Sequence, residues 1–268
     1  NIGGVVLFKH NIKFLSSRRE VADYIEFLKR GHRTPLFVAI DHEGGLVQRL
    51  REKQGFTRIP SFATLGNSGN LDRVAAAGAR MGQELASVGI NINFAPVVDL
   101  NAPGNPVIRD LRRSASTDPE KVSDMAQLIV QGLQKEGVIA VAKHYPGIGS
   151  IAQDPHYSDS YLHLNLNSLM RRDLLPFTKL IDAGVGAIMT SHVKVTRSGD
   201  PKKPVSLSRF WIKGLLRQHL NFSGLIVTDD LSMGSIRNHL PIEKASIEAV
   251  YAGNDLLLVR QGKELPVV

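Results

Sequence analysis

The sequence has no cysteine among its 268 residues. That absence excludes a disulfide framework, a thiolate zinc site and a cysteine nucleophile. No run of eighteen apolar residues occurs, so no transmembrane helix is expected. Low-complexity tracts and internal repeats are missing, as is any zinc-finger or other nucleic-acid-binding signature. The chain begins with Asn1 rather than Met and opens directly into an apolar run, without the pattern of a signal peptide. The natural start is expected to lie ahead of Asn1; a cytoplasmic location is favoured, with export left open.

What is present is ordinary globular composition, 43% hydrophobic and 22% charged, which argues against disorder. Lys and Arg number 33 against 25 Asp and Glu, a formal net charge of +8. The basic residues are dispersed, and the tightest groups are pairs such as Arg18-Arg19, Arg112-Arg113, Arg171-Arg172 and Lys202-Lys203. This describes a basic solvated surface that favours anionic ligands, and no nucleic-acid partner is expected.

Short apolar runs recur at 4–8, 36–40, 90–98, 138–142, 186–190, 225–228 and 255–259. Most are continuous rather than alternating, the pattern of strands buried on both faces, as in parallel sheets. Between them, helical spacing occurs over 17–30, 72–88, 119–136, 166–183, 208–220 and 242–252. Asp118-Pro119 supplies a cap and a first-turn proline, and Gly89, Gly137, Gly184 and Gly253 follow helix ends. Strand and helix alternate without a long linker or a shift in composition. The expectation is an α/β fold with a parallel sheet, a TIM-type (β/α)8 barrel lacking its first strand, with residues 1–268 forming a single catalytic domain. The rival, a doubly wound open sheet, usually carries a glycine-rich turn after its first strand, and here that place reads LFKHNIKF.

A barrel places its chemistry at the C-terminal ends of its strands. Ionisable groups fall there five times in succession: Asp41-His42-Glu43, Asp99, Lys143-His144, His192 after Ser191, and Asp229-Asp230. Any one of these is commonly a structural polar residue; five on one rim point to a functional pocket.

Three segments carry the sharpest chemistry. KHYPGIGSIAQDPH, from Lys143 to His156, is a loop by virtue of Pro146, Gly147 and Gly149. It brings Asp154 to His156, and a carboxylate that orients an imidazole suits a general acid that later serves as base. A solvated loop histidine is the plain alternative. LIVTDDLSMG delivers two aspartates at a strand end, where one can be a carboxylate nucleophile and one can cap the following turn. FVAIDHEGGLVQRL offers Asp41 as an acceptor for vicinal hydroxyls, with Gly44-Gly45 allowing backbone to approach a ligand.

Together with NINFAPVVDL, these blocks resemble, in order and over nearly the whole chain, the signatures of family 3 glycoside hydrolases. More narrowly they are similar to NagZ-type β-N-acetylglucosaminidases, whose loop has the form K-H-[FS]-P-G-[HL]-G-x4-D-[ST]-H. The resemblance implies a TIM-type barrel that removes terminal N-acetylglucosamine with retention, through a covalent glycosyl-enzyme, from cell-wall muropeptides or chitin-like oligosaccharides. By position it implies Asp229 as nucleophile, His156 as acid/base and Asp154 as its dyad partner. Sugar-binding positions match Asp41, Arg49, Arg113, Lys143, His144 and His192. The pattern departs at Pro155, where the family has Ser or Thr, at Ile148, which replaces His or Leu, and at Ala115, where relatives often place an aromatic.

No cofactor and no metal are expected, and the implied partner is an oligosaccharide substrate, with oligomeric state open. Three other readings share the same residues. Phosphate could intercept the glycosyl intermediate, since a histidine acid/base repels an incoming anion less than a carboxylate does. The barrel could bind sugar without turnover. His144, His156, His192 and Asp229 could ligate a metal, although no compact pair such as H-E-x-x-H is present.

Overall fold

The computed structural model describes residues 2–260. Seven parallel strands lie side by side in chain order: β1 (Gly4–Leu7), β2 (Phe37–Ile40), β3 (Ile92–Asn93), β4 (Ile139–Tyr145), β5 (Ala187–Thr190), β6 (Leu225–Asp230) and β7 (Leu256–Leu258). Each apolar run read as a strand supplies one of them. The run at 90–98 pairs over only two residues plus one bridge from Val97 to Lys143, because Pro96 has no N–H to give the ladder.

Both faces of the sheet are apolar, for different partners. The outer face, including Val38, Ile40, Ala142 and Ile226, shares a core with helix residues such as Val21, Ile25, Met81, Ile129 and Phe177. The inner face packs on itself through Ala39, Ile92, Val141, Ala187, Met189 and Val227. Self-packing of one face is the mark of a curled, barrel-like sheet rather than an open one with helices on both sides. Among the described residues β1 and β7 are the two ends of the curl, matching the expected barrel with one strand position open.

The connections are α1 (Arg18–Lys29), α2 (Leu71–Ser87), α3 (Pro119–Lys135), α4 (Leu175–Asp182), α5 (Phe210–His219, wound as a π-helix) and α6 (Ile242–Ala252). The starts of α1, α2 and α3 follow from capping side chains: Ser17 accepts from the Glu20 N–H, Asn70 from Arg73 and Asp118 from Glu120. The segment read as one helix over 166–183 is two, Leu166–Arg171 and α4. The break falls where Asp173 turns a buried carboxylate back to the Arg172 guanidinium (2.8 Å) and Pro176 enters the first turn of α4. Helices α2 and α3 touch backbone to backbone, and a Cβ on Gly132 would overlap the main chain at Gly78.

Smaller elements crown the C-terminal ends of the strands. An antiparallel hairpin pairs His42–Gly44 with Val47–Gln48, and a short parallel pair joins Tyr161–Leu162 to Lys194–Val195. Gly44 and Gly45, with φ of 96° and 59°, turn the hairpin, and their α-carbons lie against Pro60 and Ser61. The backbone they allow to approach is thus the protein's own rather than a ligand. Among the described residues no helix is long and apolar enough to cross a membrane.

Candidate active site

The β2 end is set by Asn93. Its side chain accepts from the His42 N–H and donates to the His42 carbonyl, both at 3.0 Å. Locking His42 in the wall directs its neighbours Asp41 and Glu43 over the mouth of the curl. His42 itself is buried; burial, together with Arg51 and Arg49, pulls its imidazole down to about 3, so it stays neutral.

Asp41 and Glu43 meet two cations from distant parts of the chain. Lys143, at the end of β4 and 2% exposed, reaches Asp41 Oδ1 at 2.8 Å and Glu43 Oε1 at 2.7 Å. Arg113 clasps Glu43 with two parallel bonds of 2.9 Å, and Arg49 reaches Asp41 Oδ2 at 3.2 Å. Burial works against every charge here. For Glu43 the Arg113 and Lys143 charges win and hold the carboxyl at about 2. Asp41 is held still lower, by Lys143 first and then Arg49. Arg113 and Lys143 are correspondingly pushed upward by the two carboxylates, against their own desolvation. All four groups are therefore ionised at neutral pH, a fixed array of donors and acceptors of the kind a hydroxyl-rich ligand uses.

The second half of the site is pinned by Asp99. This buried carboxylate accepts from His144 Nδ1 (2.7 Å), from the His144 N–H (3.2 Å) and from the Ile148 N–H (2.7 Å). The other ring nitrogen of His144 faces Arg113 Nη2 at 3.4 Å. His144 so stands between the ion-pair ring and the end of β6, close enough to Asp229 to help hold its carboxyl down.

At the end of β6 the two aspartates separate in role. Asp230 Oδ1 accepts from the Ser232 N–H (3.0 Å), the Ser232 hydroxyl (2.6 Å) and the Arg260 N–H (3.0 Å), so it is spent on the turn. Asp229 accepts one bond, from the Asp230 N–H at 2.8 Å. Burial tends to raise the Asp229 carboxyl, but His144, His192, that N–H and His156 hold it below the usual carboxylate range.

His192 has both ring nitrogens committed within the protein. Nε2 lies 3.0 Å from the Asp230 carbonyl, which can only accept, and Nδ1 lies 2.7 Å from the Ser206 hydroxyl. Burial lowers its basicity, partly offset by Asp229. Both polar atoms of the His192 ring thus face the scaffold, as the two ring nitrogens of His144 also have protein partners.

The loop from Gly147 carries Asp154 and His156 back over the mouth. Asp154 Oδ1 meets His156 Nδ1 at 2.6 Å and the His156 N–H at 2.9 Å, with Pro155 between them. Asp154 and His156 meet despite the proline, and the imidazole is half-exposed, with Nε2 unpaired among the described residues. Among the described residues no group of three or more His, Asp or Glu is arranged to hold a metal ion.

The residues singled out in the sequence thus come together from six strand ends or loops. Two others belong with them: Glu43, the shared partner of both cations, and Asp99, which sets His144. Both sit at strand ends, and that position was their only signal.

The chain matches the N-terminal domain model of glycosyl hydrolase family 3 over residues 1–266. The chain belongs to glycosyl hydrolase family 3. A family 3 relative from Nitrosomonas eutropha, named β-hexosaminidase, is 35% identical over 96% of this chain and 73% of its own length. One from Tolumonas auensis with the same name is 38% identical over 96% and 75%. Among solved structures, a family 3 β-N-acetylglucosaminidase from Paenibacillus sp. FPU-7 superposes with a TM-score of 0.91 at 36% identity, over 97% of this chain and 49% of its own. The chain thus spans about half the length of that enzyme. NagZ from Neisseria gonorrhoeae, solved in complex with N-trifluoroacetyl-D-glucosamine, gives 0.86 at 33% identity over 96% and 74%.

Proposed function

We propose that this family 3 glycoside hydrolase is a retaining exo-β-N-acetylglucosaminidase acting on cell-wall muropeptides or chitin-like oligosaccharides. The observation that carries the reading is an open carboxylate at the end of β6 together with an imidazole oriented by its own carboxylate on a loop that hangs on the turn after β6. Asp229 keeps a carboxylate oxygen without a protein partner among the described residues, and it lies within the field of His156, whose Nδ1 is held by Asp154. The relatives named β-hexosaminidase and the glucosamine-derived ligand of the gonococcal NagZ support the sugar's identity.

In the first step an oxygen of Asp229 attacks the anomeric carbon while the bond to the leaving oxygen breaks. His156 gives its Nε2 proton to that oxygen, and a glycosyl ester on Asp229 results. In the second step water attacks the same carbon, His156 takes its proton at Nε2, and the Asp229 carboxylate leaves; two inversions give retention. Asp154 holds the imidazole by Nδ1 throughout. The low basicity of Asp229 keeps it ionised as the nucleophile. Asp41, Arg113, Lys143 and His144 bind the hydroxyls of the non-reducing sugar, with Arg49 holding Asp41.

Hydrolysis of an aryl β-N-acetylglucosaminide, compared with the matching β-glucoside, tests this. The N-acetylated substrate is expected to turn over faster. Preference for the glucoside refutes the specificity, and turnover of neither refutes the enzyme in favour of a sugar-binding barrel. The same assay in phosphate yields free sugar; sugar 1-phosphate as product marks a phosphorylase.

A further inference from the structure

The loop that carries His156 is anchored firmly at its two ends and lightly in between. At its start Asp99 and Asn105 hold Ile148, by 2.7 Å and 2.6 Å bonds to its N–H and carbonyl. At its end Tyr161–Leu162 pairs with Lys194–Val195. Of the stretch between, Ser150 is held by the Arg172 guanidinium at 2.6 Å, while the part that carries His156 rests on a small platform: the turn that leaves the end of β6, a few residues beyond Asp229.

The contacts to that platform are specific. The Gly234 N–H donates to the carbonyl of His156 itself at 2.9 Å, and the Ser235 N–H donates to Pro155 at 3.2 Å. Asn238 Nδ2 donates to the Tyr157 carbonyl at 3.1 Å. A Cβ on Gly234 would overlap the carbonyl group of Tyr157, so the loop reaches this depth only over a glycine. Two residues past Tyr157, Asp159 clamps the loop with both oxygens, Oδ1 to His239 Nε2 (2.9 Å) and Oδ2 to Lys194 Nζ (2.7 Å). His239 belongs to the same platform.

We infer that Gly234 and the Asp159–His239 pair are positioning residues for the acid/base, setting the height of the His156 imidazole over the sugar relative to Asp229. The inference rests on the assignment of His156 given above. The peptide of the acid/base hangs on the backbone that follows the nucleophile, so one turn links the two partners of the reaction. None of these three side chains or atoms touches the sugar in this scheme; they act through His156.

Leaving-group dependence separates positioning from general damage. In a retaining glycosidase kcat/KM reports the first step, in which a poor leaving group needs the proton and an activated one does not. The substrates are phenyl and 2,4-dinitrophenyl β-N-acetylglucosaminide. Gly234→Ala is expected to lower kcat/KM roughly tenfold or more on the phenyl substrate and less than about threefold on the dinitrophenyl one, a fraction of what a general acid contributes. In a His156→Ala background the same substitution should add nothing on either substrate. Asp159→Ala and His239→Ala should shift the ratio in the same direction, and they carry the test if Gly234→Ala does not fold. Equal losses on both substrates, or a further phenyl-selective loss without His156, overturn the positioning role. A His156→Ala variant that is itself indifferent to the leaving group refutes the acid/base assignment, and the positioning role falls with it.

Discussion

Replacing Glu43 by Gln keeps the shape of the side chain and removes the charge shared by Arg113 and Lys143. The two cations are 11% and 2% exposed and would be left with Asp41 as their only carboxylate partner in the ring. Breaking a buried pair by removing one partner typically costs about 3–5 kcal/mol. The proton equilibrium gives a comparable figure: Glu43 is held at about 2 against an ordinary 4.5, and at about 1.4 kcal/mol per pH unit that is about 3 kcal/mol. The sign follows from which state binds the proton. Between pH 4.5 and about 2 the unfolded chain protonates this carboxyl and the folded one does not. The stabilisation is therefore complete above pH 4.5 and is lost as pH falls through about 2. Urea unfolding of wild type and Glu43→Gln at a series of pH values reads this directly. At pH 7 the variant should be less stable by about 3 kcal/mol, and the gap should close by about 1.4 kcal/mol per pH unit below roughly pH 4.5. A gap under about 1 kcal/mol at pH 7, or one that stays constant from about pH 5 to 3, refutes the account of the ring.

Three further outcomes are expected. Asp229→Ala should cut turnover by several orders of magnitude, and a 2-fluoro sugar with a good leaving group should label Asp229, read by peptide mass spectrometry; a label on Asp230 or Glu43 moves the nucleophile. The acid limb of kcat/KM due to the Asp229 carboxylate should lie below its ordinary value of 3.8, since a depressed group stays ionised until the pH falls further; His144→Ala should move that limb upward, and an unmoved limb removes His144 as its cause. His156→Ala should damage substrates with poor leaving groups far more than activated aryl glycosides, with Asp154→Ala milder in the same direction; equal losses on both substrate types would leave the loop a structural one.

The strands were legible because each is buried twice, against helices outside and against the other strands inside, and two buried faces write an unbroken apolar run. Helices showed through their caps, as at Ser17, Asn70 and Asp118-Pro119. The interruption at Asp173 did not show, since a buried aspartate paired with its own neighbour looks like any polar residue on a helix face. Helix Phe62–Ser68 was not among the helical stretches read, because seven residues with Gly66 inside and Gly69 at the end are too short to show a helical period. In the site, strand-end position marked the right ionisable groups but not their pairing. Glu43 and Arg113 are 70 residues apart, and nothing in either neighbourhood says that one clasps the other. His192 illustrates the converse: its place on the rim was readable, while the commitment of both nitrogens to Ser206 and Asp230 depends on atoms that only the fold brings within 3.0 Å.

The ring of Asp41, Glu43, Arg113 and Lys143 also limits how this sequence can change over time. Two negative and two positive groups meet there, with Arg49 at the edge, so a single replacement that removes a charge leaves a buried partner unmatched. The intermediate would carry a penalty of about 3–5 kcal/mol, a large part of what a domain has in total. Drift at these four positions is therefore confined to coordinated exchanges, an anion and a cation altered together. Exposed cations with exposed partners, such as Arg19 and Arg30, bear no such constraint and can change one at a time.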